Sequence, residues 1–368
     1  MPMALRHSSR LDRIPAYPAA AGYELPEEVA MLASNESHDP PIPEVVAAVE
    51  AVMRGLNRYP DPAGTKLREA LSERYGVPAA RIALGNGSCD ILLALGEALL
   101  DPGSELVFAW PSFSIYEHLE GASGATTTRV PLDASERHDL GAMLEAIGPD
   151  TRLAIVCNPN NPTGTAVPFG ELREFVEAVP PETCLVLDEA YCEYSTLDDP
   201  DLTIGLLEER ENLVLLRTFS KVYGLAGLRV GFGLCGSEEI PAAVNRVRQP
   251  FFCSSAAQAA GVEALRHPEA VAQRVAHNME ARSFVMSGLE QLGLAPAASE
   301  ANFCWVGVPA REGEEPAQAE ERVLGELATR GVLVRGGGGL GRAGWLRITF
   351  GSELENGRLL EAMAAALD

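Results

Sequence analysis

Lysine is nearly missing from this chain. Of its 29 basic residues only Lys66 and Lys221 are lysines, so positive charge is otherwise written as arginine. Acidic residues number 52, and the formal net charge is -23. Such a charge excludes nucleic acid as a partner, because gripping a phosphodiester backbone needs a basic face. It leaves small anionic substrates open, since a few local arginines override a global field. No apolar run approaches the roughly 18–20 residues of a membrane span. The opening stretch, MPMALRHSSRLDRIPAYPAA, has no apolar centre like that of a signal peptide. The seven cysteines (89, 157, 184, 192, 235, 253 and 304) contain no CxxC pair. Together with the lack of any His/Cys group at metal spacing, this predicts reduced thiols in a cytoplasmic protein and no metal.

What the chain does have is length and hydrophobicity. With 368 residues and 46% hydrophobic content it can build a large core and more than one domain. Short apolar runs alternate with helical patterns from about residue 81 to 235. Candidate strands are 81–85, 105–110, 125–130, 152–158, 184–189, 212–218 and 229–235, with helices such as 89–100 and 168–179 between them. Several strands are apolar on both faces, which predicts an α/β fold with a mostly parallel sheet covered on both sides. Beyond about residue 260 the texture changes to one or two long amphipathic helices, then strands at 301–308, 331–336 and 345–351 and a closing helix. This predicts a smaller α+β domain, with the helix in PIPEVVAAVEAVMRGLNRY packing beside it. The expected division is 1–50 (N-terminal segment and part of the small domain), 51–260 (large domain) and 261–368 (small domain).

Four motifs carry chemistry. In RTFSKVYGLAGLR, Lys221 follows a strand at its carboxyl end, where open α/β sheets hold ligands. A desolvated lysine there is a nucleophile toward carbonyls; a surface lysine with its stem laid on the protein is the plainer alternative. In CLVLDEAYCEY, Asp188 ends an apolar strand and could pair with a protonated ring nitrogen, with the Tyr191 hydroxyl nearby; a turn-capping role is the alternative. CNPNNPTGT is a rigid loop after a strand, dense in asparagines that offer both donor and acceptor. LGNGSCD places free backbone N–H groups at a helix start, a ready phosphate site. GGGGLG fits GxGxxG in form, but lacks the following helix and acidic residue of a dinucleotide site, and reads as a flexible loop. The four motifs all follow strands of one sheet. A lysine nucleophile, an Asp for a pyridinium, Asn and Tyr for a phenolic oxygen and a phosphate cradle together describe pyridoxal 5′-phosphate.

The text LASNES, NRYPDP, GNGSCD, NPNNPTG, LDEAY, TFSKVYGLAGLRVGF, ANFCW and LRITFG resembles, in this order and over nearly the whole chain, the class I/II aminotransferases of fold type I. Within them it is most similar to histidinol-phosphate aminotransferases and the related aromatic aminotransferases. The resemblance implies that Lys221 carries the cofactor on its amine and shuttles the substrate proton. Asp188 would keep the pyridine nitrogen protonated. Asn161 and Tyr191 would bond the 3′-oxygen. Ser88 and Cys89 (through backbone N–H), Ser220, Arg229 and, in support, Thr218 would hold the phosphate, and Phe113 would stack on the ring. Tyr59 would reach the cofactor of a neighbouring subunit, implying a homodimer with shared sites. Cys89 stands where many relatives carry an acidic residue. It is expected to be a packed bystander, an activated thiol being the alternative.

For the substrate, the resemblance assigns Arg347 and Arg335 to the donor's distal anionic group, and Tyr17 and Asn35 to the segment that closes over it. Two arginines favour a phosphate ester. The expected reaction is amino transfer between L-histidinol phosphate and 2-oxoglutarate. The alternatives are an aromatic amino-acid aminotransferase and a decarboxylase of an amino-acid phosphate. A cofactor-binding regulator would need a DNA-binding domain that neither the charge nor the length supplies.

Overall fold

The computed structural model describes Ser8, residues 11–14 and residues 29–368. Its strands are β1 (Ala30–Met31), β2 (Ile82–Gly85), β3 (Glu105–Trp110), β4 (Thr126–Pro131), β5 (Thr151–Cys157), β6 (Cys184–Asp188), β7 (Leu213–Thr218), β8 (Gly231–Cys235), β9 (Phe303–Gly307), β10 (Val332–Leu333), β11 (Arg335–Gly336) and β12 (Trp345–Thr349). Seven of them form one sheet in the order β2-β8-β7-β6-β5-β3-β4. All run the same way except β8, which is antiparallel to both neighbours. This is the mixed, mostly parallel sheet of fold type I that the apolar runs predict, with boundaries within two residues.

β6 and β7 are buried along their whole length and β5 nearly so, because helices cover both faces. Parallel pairing forces a crossover after each strand, so the carboxyl ends of β2, β3, β5, β6 and β7 share one rim. β8 runs the other way, and its first residue therefore meets the same rim. That reversal brings Arg229, two residues before β8, beside groups that follow the other strands.

A second core lies against the antiparallel sheet β11-β12-β9 and gathers Leu32, Val285, Leu289, Val306, Val323, Leu346 and Leu359. The expected pair of long helices is Ser255–Ala264 and Pro268–Gln291. The second begins with Val271 and Val275 against the large core and ends with Val285 and Leu289 in the small one. The change of core thus falls inside this helix rather than at residue 261. The helix Pro43–Met53 does not pack with the small core as expected. Its Val45 joins the large core with Ala257 and Ala260, whose small side chains let the two helices lie close.

Two further readings are corrected. The run 331–336 is not one strand: β10 pairs in parallel with β1, whereas β11 pairs antiparallel with β12. A two-residue strand such as β1 has no periodicity to detect. The glycine-rich segment is not a flexible loop. The buried carboxylate of Glu320 accepts the N–H of Gly338 at 3.0 Å and of Gly344 at 2.8 Å. A Cβ on Gly337 would run into Trp305 and the carbonyl oxygens of Arg342 and Trp345, so the glycines answer to close approach rather than freedom. No helix among the described residues is long and apolar enough to cross a membrane.

Candidate active site

At the shared rim lies a cavity of about 490 Å³. Its wall contains Asn35, Ser88, Cys89, Phe113, Asn161, Asp188, Tyr191, Thr218, Ser220, Lys221, Arg229, Arg335 and Arg347, every expected site residue except Tyr59 and Tyr17. Tyr17 lies outside the described residues. Tyr59 is 79% exposed and stacks on Phe251 at 4.2 Å, away from this cavity.

Lys221 follows β7 and the Phe219–Ser220 pair. Its Nζ donates to the carbonyls of Ser34 and Asn35, each at 3.1 Å. Burial pushes its pKa down to about 8; the positive charges of Arg347 and Arg229 act in the same direction, and Glu36 opposes them. About a tenth is therefore free amine at pH 7, far more than an ordinary lysine offers, as a carbonyl-capturing nucleophile requires. The plainer reading as a surface lysine is set aside by the two carbonyls that hold this amine inside the cavity.

Asp188 is the last residue of β6 and is 2% exposed. Burial raises its pKa to about 6, against the hydrogen bond it accepts from the Tyr116 hydroxyl at 2.8 Å. A carboxylate held in a dry site, with no cation among the described residues bonded to it, fits a protonated ring nitrogen. The sequence reading missed Tyr116. It sits on the helix Ile115–Ser123 as one aromatic on an apolar face, and nothing in the pattern marks its hydroxyl as aimed at β6.

Asn161, in the loop after β5, accepts Arg347 Nη1 at 2.8 Å, and Arg347 Nη2 reaches the Ala33 carbonyl at 2.5 Å. Tyr191 accepts Asn35 Nδ2 at 3.0 Å, and its own pKa is raised, chiefly by burial. Asn35 has φ 54, a left-handed conformation that asparagine tolerates. Its carbonyl also accepts Asn302 Nδ2 at 3.1 Å, and its N–H donates to Thr349 Oγ1 at 2.9 Å. The LASNES, ANFCW and LRITFG motifs thus meet at one residue beside Lys221.

The phosphate cradle is visible in the backbone. The helix Ser88–Leu99 starts without a side-chain cap, leaving N–H groups at its amino end for a ligand. Arg229 donates to the Ala226 carbonyl at 2.9 Å and to Ser220 Oγ at 3.4 Å. A Cβ on Gly231 would press on the backbone N of Ser88, and one on Gly87 on the Arg229 guanidinium. These residues fit the phosphate of pyridoxal phosphate: uncapped amides, a hydroxyl and a fixed guanidinium converge where only glycine leaves room. Cys89 is not an activated thiol. Burial, with the Asp188 charge second, raises it to about 11, outweighing the helix terminus.

Outside the cavity, His38, Asp39 and His277 converge near the surface, with His277 Nδ1 3.3 Å and His38 Nε2 3.6 Å from the Asp39 carboxylate. They come from two distant stretches of chain, which is why sequence spacing does not reveal the trio.

Comparison with known proteins agrees with this geometry. Residues 27–363 match the family described as aminotransferase class I and II. A histidinol-phosphate aminotransferase of Carboxydothermus hydrogenoformans is 40% identical, covering 92% of this chain and 91% of that protein. An aromatic amino acid aminotransferase of Thermobifida fusca is 45% identical, covering 81% of this chain and 83% of that protein. Among solved structures, a histidinol-phosphate aminotransferase from Sinorhizobium meliloti in complex with pyridoxal-5′-phosphate superimposes with a TM-score of 0.82. It shares 28% identity and covers 91% of this chain and 90% of that one.

Proposed function

The chain belongs to the class I and II aminotransferases and is thereby a pyridoxal 5′-phosphate-dependent transaminase; from that premise we propose that it moves an amino group between L-histidinol phosphate and 2-oxoglutarate, a step of histidine biosynthesis. One observation carries the choice of donor. Arg335 and Arg347 stand directly opposite each other on β11 and β12, and both line the cavity. Two guanidinium groups on one wall suit a phosphate ester better than a single carboxylate.

When bound, pyridoxal phosphate supplies the carbonyl that takes the donor's amine and the electron sink that makes its Cα–H acidic. The roles of the chain's own residues follow from their chemistry. The neutral amine of Lys221 would hold the cofactor and would carry the proton of the donor's Cα. Asp188 holds the ring nitrogen protonated, and Tyr116 steadies that carboxylate. Asn161 and Tyr191 would hold the 3′-oxygen, and Phe113 would lie against the ring. The N–H groups of Ser88 and Cys89, with Thr218, Ser220 and Arg229, take the phosphate. Arg347 and Arg335, side by side on one wall, would take the donor's distal phosphate together. Asn35 and Tyr17 belong to the segment that closes over the donor. We assign the protein to homodimers in which Tyr59 completes the partner's cradle, and we take the two cores as its large and small domains.

The second reading, an aromatic amino-acid aminotransferase, is favoured by the relative of that name. The two separate in one assay: kcat/KM for L-histidinol phosphate against L-phenylalanine, with 2-oxoglutarate as acceptor. A preference of at least about tenfold for the phosphate ester is expected, because a site built around a charged group rejects a donor that lacks it. A preference for phenylalanine would overturn the assignment.

A further inference from the structure

The glycine-rich segment 336–344 finds no use in cofactor chemistry, yet it supplies one residue to the cavity wall: Leu340, 5% exposed. Among the described residues lining that cavity, Leu340 is the one branched aliphatic; the other aliphatic side chains are alanines. Among the described wall residues, apolar contact with the donor's side chain can come from it, from Tyr191 or from Phe113, and the last two are the ones proposed to face the cofactor.

The wall that presents Leu340 is stiff. Glu320 grips the segment at both ends, through the N–H of Gly338 and of Gly344. The Gly337 N–H adds a bond to the Trp345 carbonyl at 2.7 Å. The segment is also fixed against the large core. Gly341, at φ 96, lies so close to the Trp110 indole at the end of β3 that a Cβ would not fit. Arg342 pairs with Glu136 in the turn after β4. The Glu136 carbonyl accepts Thr165 Oγ1 at 2.6 Å, and Thr165 contacts Thr163 at 2.7 Å. Thr163 in turn accepts Asn160 Nδ2 at 3.0 Å, next to Asn161. A chain of polar contacts thus registers Leu340 against the loop that orients the cofactor's oxygen.

We propose that Leu340 is a specificity-determining residue that selects donors bearing a flat aromatic ring, and that Glu136–Arg342 is the pair that positions it. The proposal rests on the transaminase reading of the cavity and holds for an imidazole or a phenyl ring. Such a ring packs against the leucine, whereas an acidic side chain gains nothing from it.

The test uses holoenzyme and follows KM and kcat separately for L-histidinol phosphate, L-phenylalanine and L-glutamate. Leu340→Ala is expected to raise KM for the ring-bearing donor about tenfold while leaving kcat and the glutamate KM within about twofold. The absorption of the lysine-bound cofactor should not change. Glu136→Arg alone is expected to raise the same KM, and adding Arg342→Glu, which restores the pair with its charges exchanged, to bring it back. An equal rise for glutamate, or no rise for the ring-bearing donor, would overturn the role of Leu340. A double variant no better than Glu136→Arg would overturn that of the pair. Wild-type enzyme that uses neither ring-bearing donor would sink the donor reading and the Leu340 inference with it. Normal wild-type turnover beside an unselective Leu340→Ala sinks Leu340 alone.

Discussion

Lys221 and Asp188 show what burial does to two groups of opposite charge. The same dry rim lowers the amine to about 8 and raises the carboxyl to about 6. Each is moved toward its neutral form, and each then has a use for a partner that the cofactor brings. The lysine shift fixes a pH dependence. The protonated amine cannot attack, so the rate at which apoenzyme captures added cofactor should climb as pH rises through about 8. A climb centred near the ordinary lysine value of about 10.5 would contradict the burial argument. For Asp188→Asn, loss of one member of a buried charge pair costs about 3–5 kcal/mol, an expected fall of about 10²–10⁴-fold in transamination rate. Tyr116→Phe removes a single hydrogen bond to that carboxylate and should cost about 1–3 kcal/mol, read in the same assay. Of these residues, Lys221 and Asp188 were legible because each sits directly after an apolar run. Tyr116 was not, because its partner is 72 positions away and only the packing of a helix on the sheet joins them.

At the scale of elements, the sheet was legible and its small companions were not. Both-face burial of β5, β6 and β7 writes itself into the chain as LAIVC, CLVLD and LVLLRT, and their ends place the site. The direction of β8 leaves no such trace, although it alone explains how Arg229 returns to the rim. β1 and β10, two residues each, exist only because they pair with each other. The glycine-rich segment was misread for a related reason: composition suggests freedom, while the forces that pin it come from Glu320 and two tryptophans elsewhere in the chain. Gly231 tests the cradle as a backbone object. Gly231→Ala pushes a methyl onto the Ser88 amide, and such overpacking typically costs about 1–3 kcal/mol. The expected result is a fall of at least about tenfold in cofactor affinity by equilibrium titration. Unchanged affinity would mean that the amides at this helix start do not hold the phosphate.

For the whole molecule, the long helix Pro268–Gln291 ties the two cores together, and the cavity lies where residues of both meet. Tyr59 does not belong to this cavity within one chain. Its exposed ring, stacked on Phe251, makes the proposed dimer testable by complementation. Lys221→Ala and Tyr59→Ala chains are mixed, dissociated and reassembled. If Tyr59 serves the partner's site, each hybrid dimer holds one site with both defects and one with neither, and, with half of the randomly reassembled dimers hybrid, about a quarter of wild-type activity returns. If Tyr59 serves its own chain, every site keeps one defect and no activity returns.

The scarcity of lysine supplies the most direct test of the central claim, that this cavity carries pyridoxal phosphate on Lys221. Holoenzyme is reduced with borohydride, which fixes the cofactor wherever an amine holds it, and the digested chain is mapped by mass spectrometry. With only Lys66 and Lys221 to choose from, the account predicts the cofactor's mass on the peptide containing Lys221 and none on that containing Lys66. Cofactor on Lys66, or on neither lysine, would contradict it.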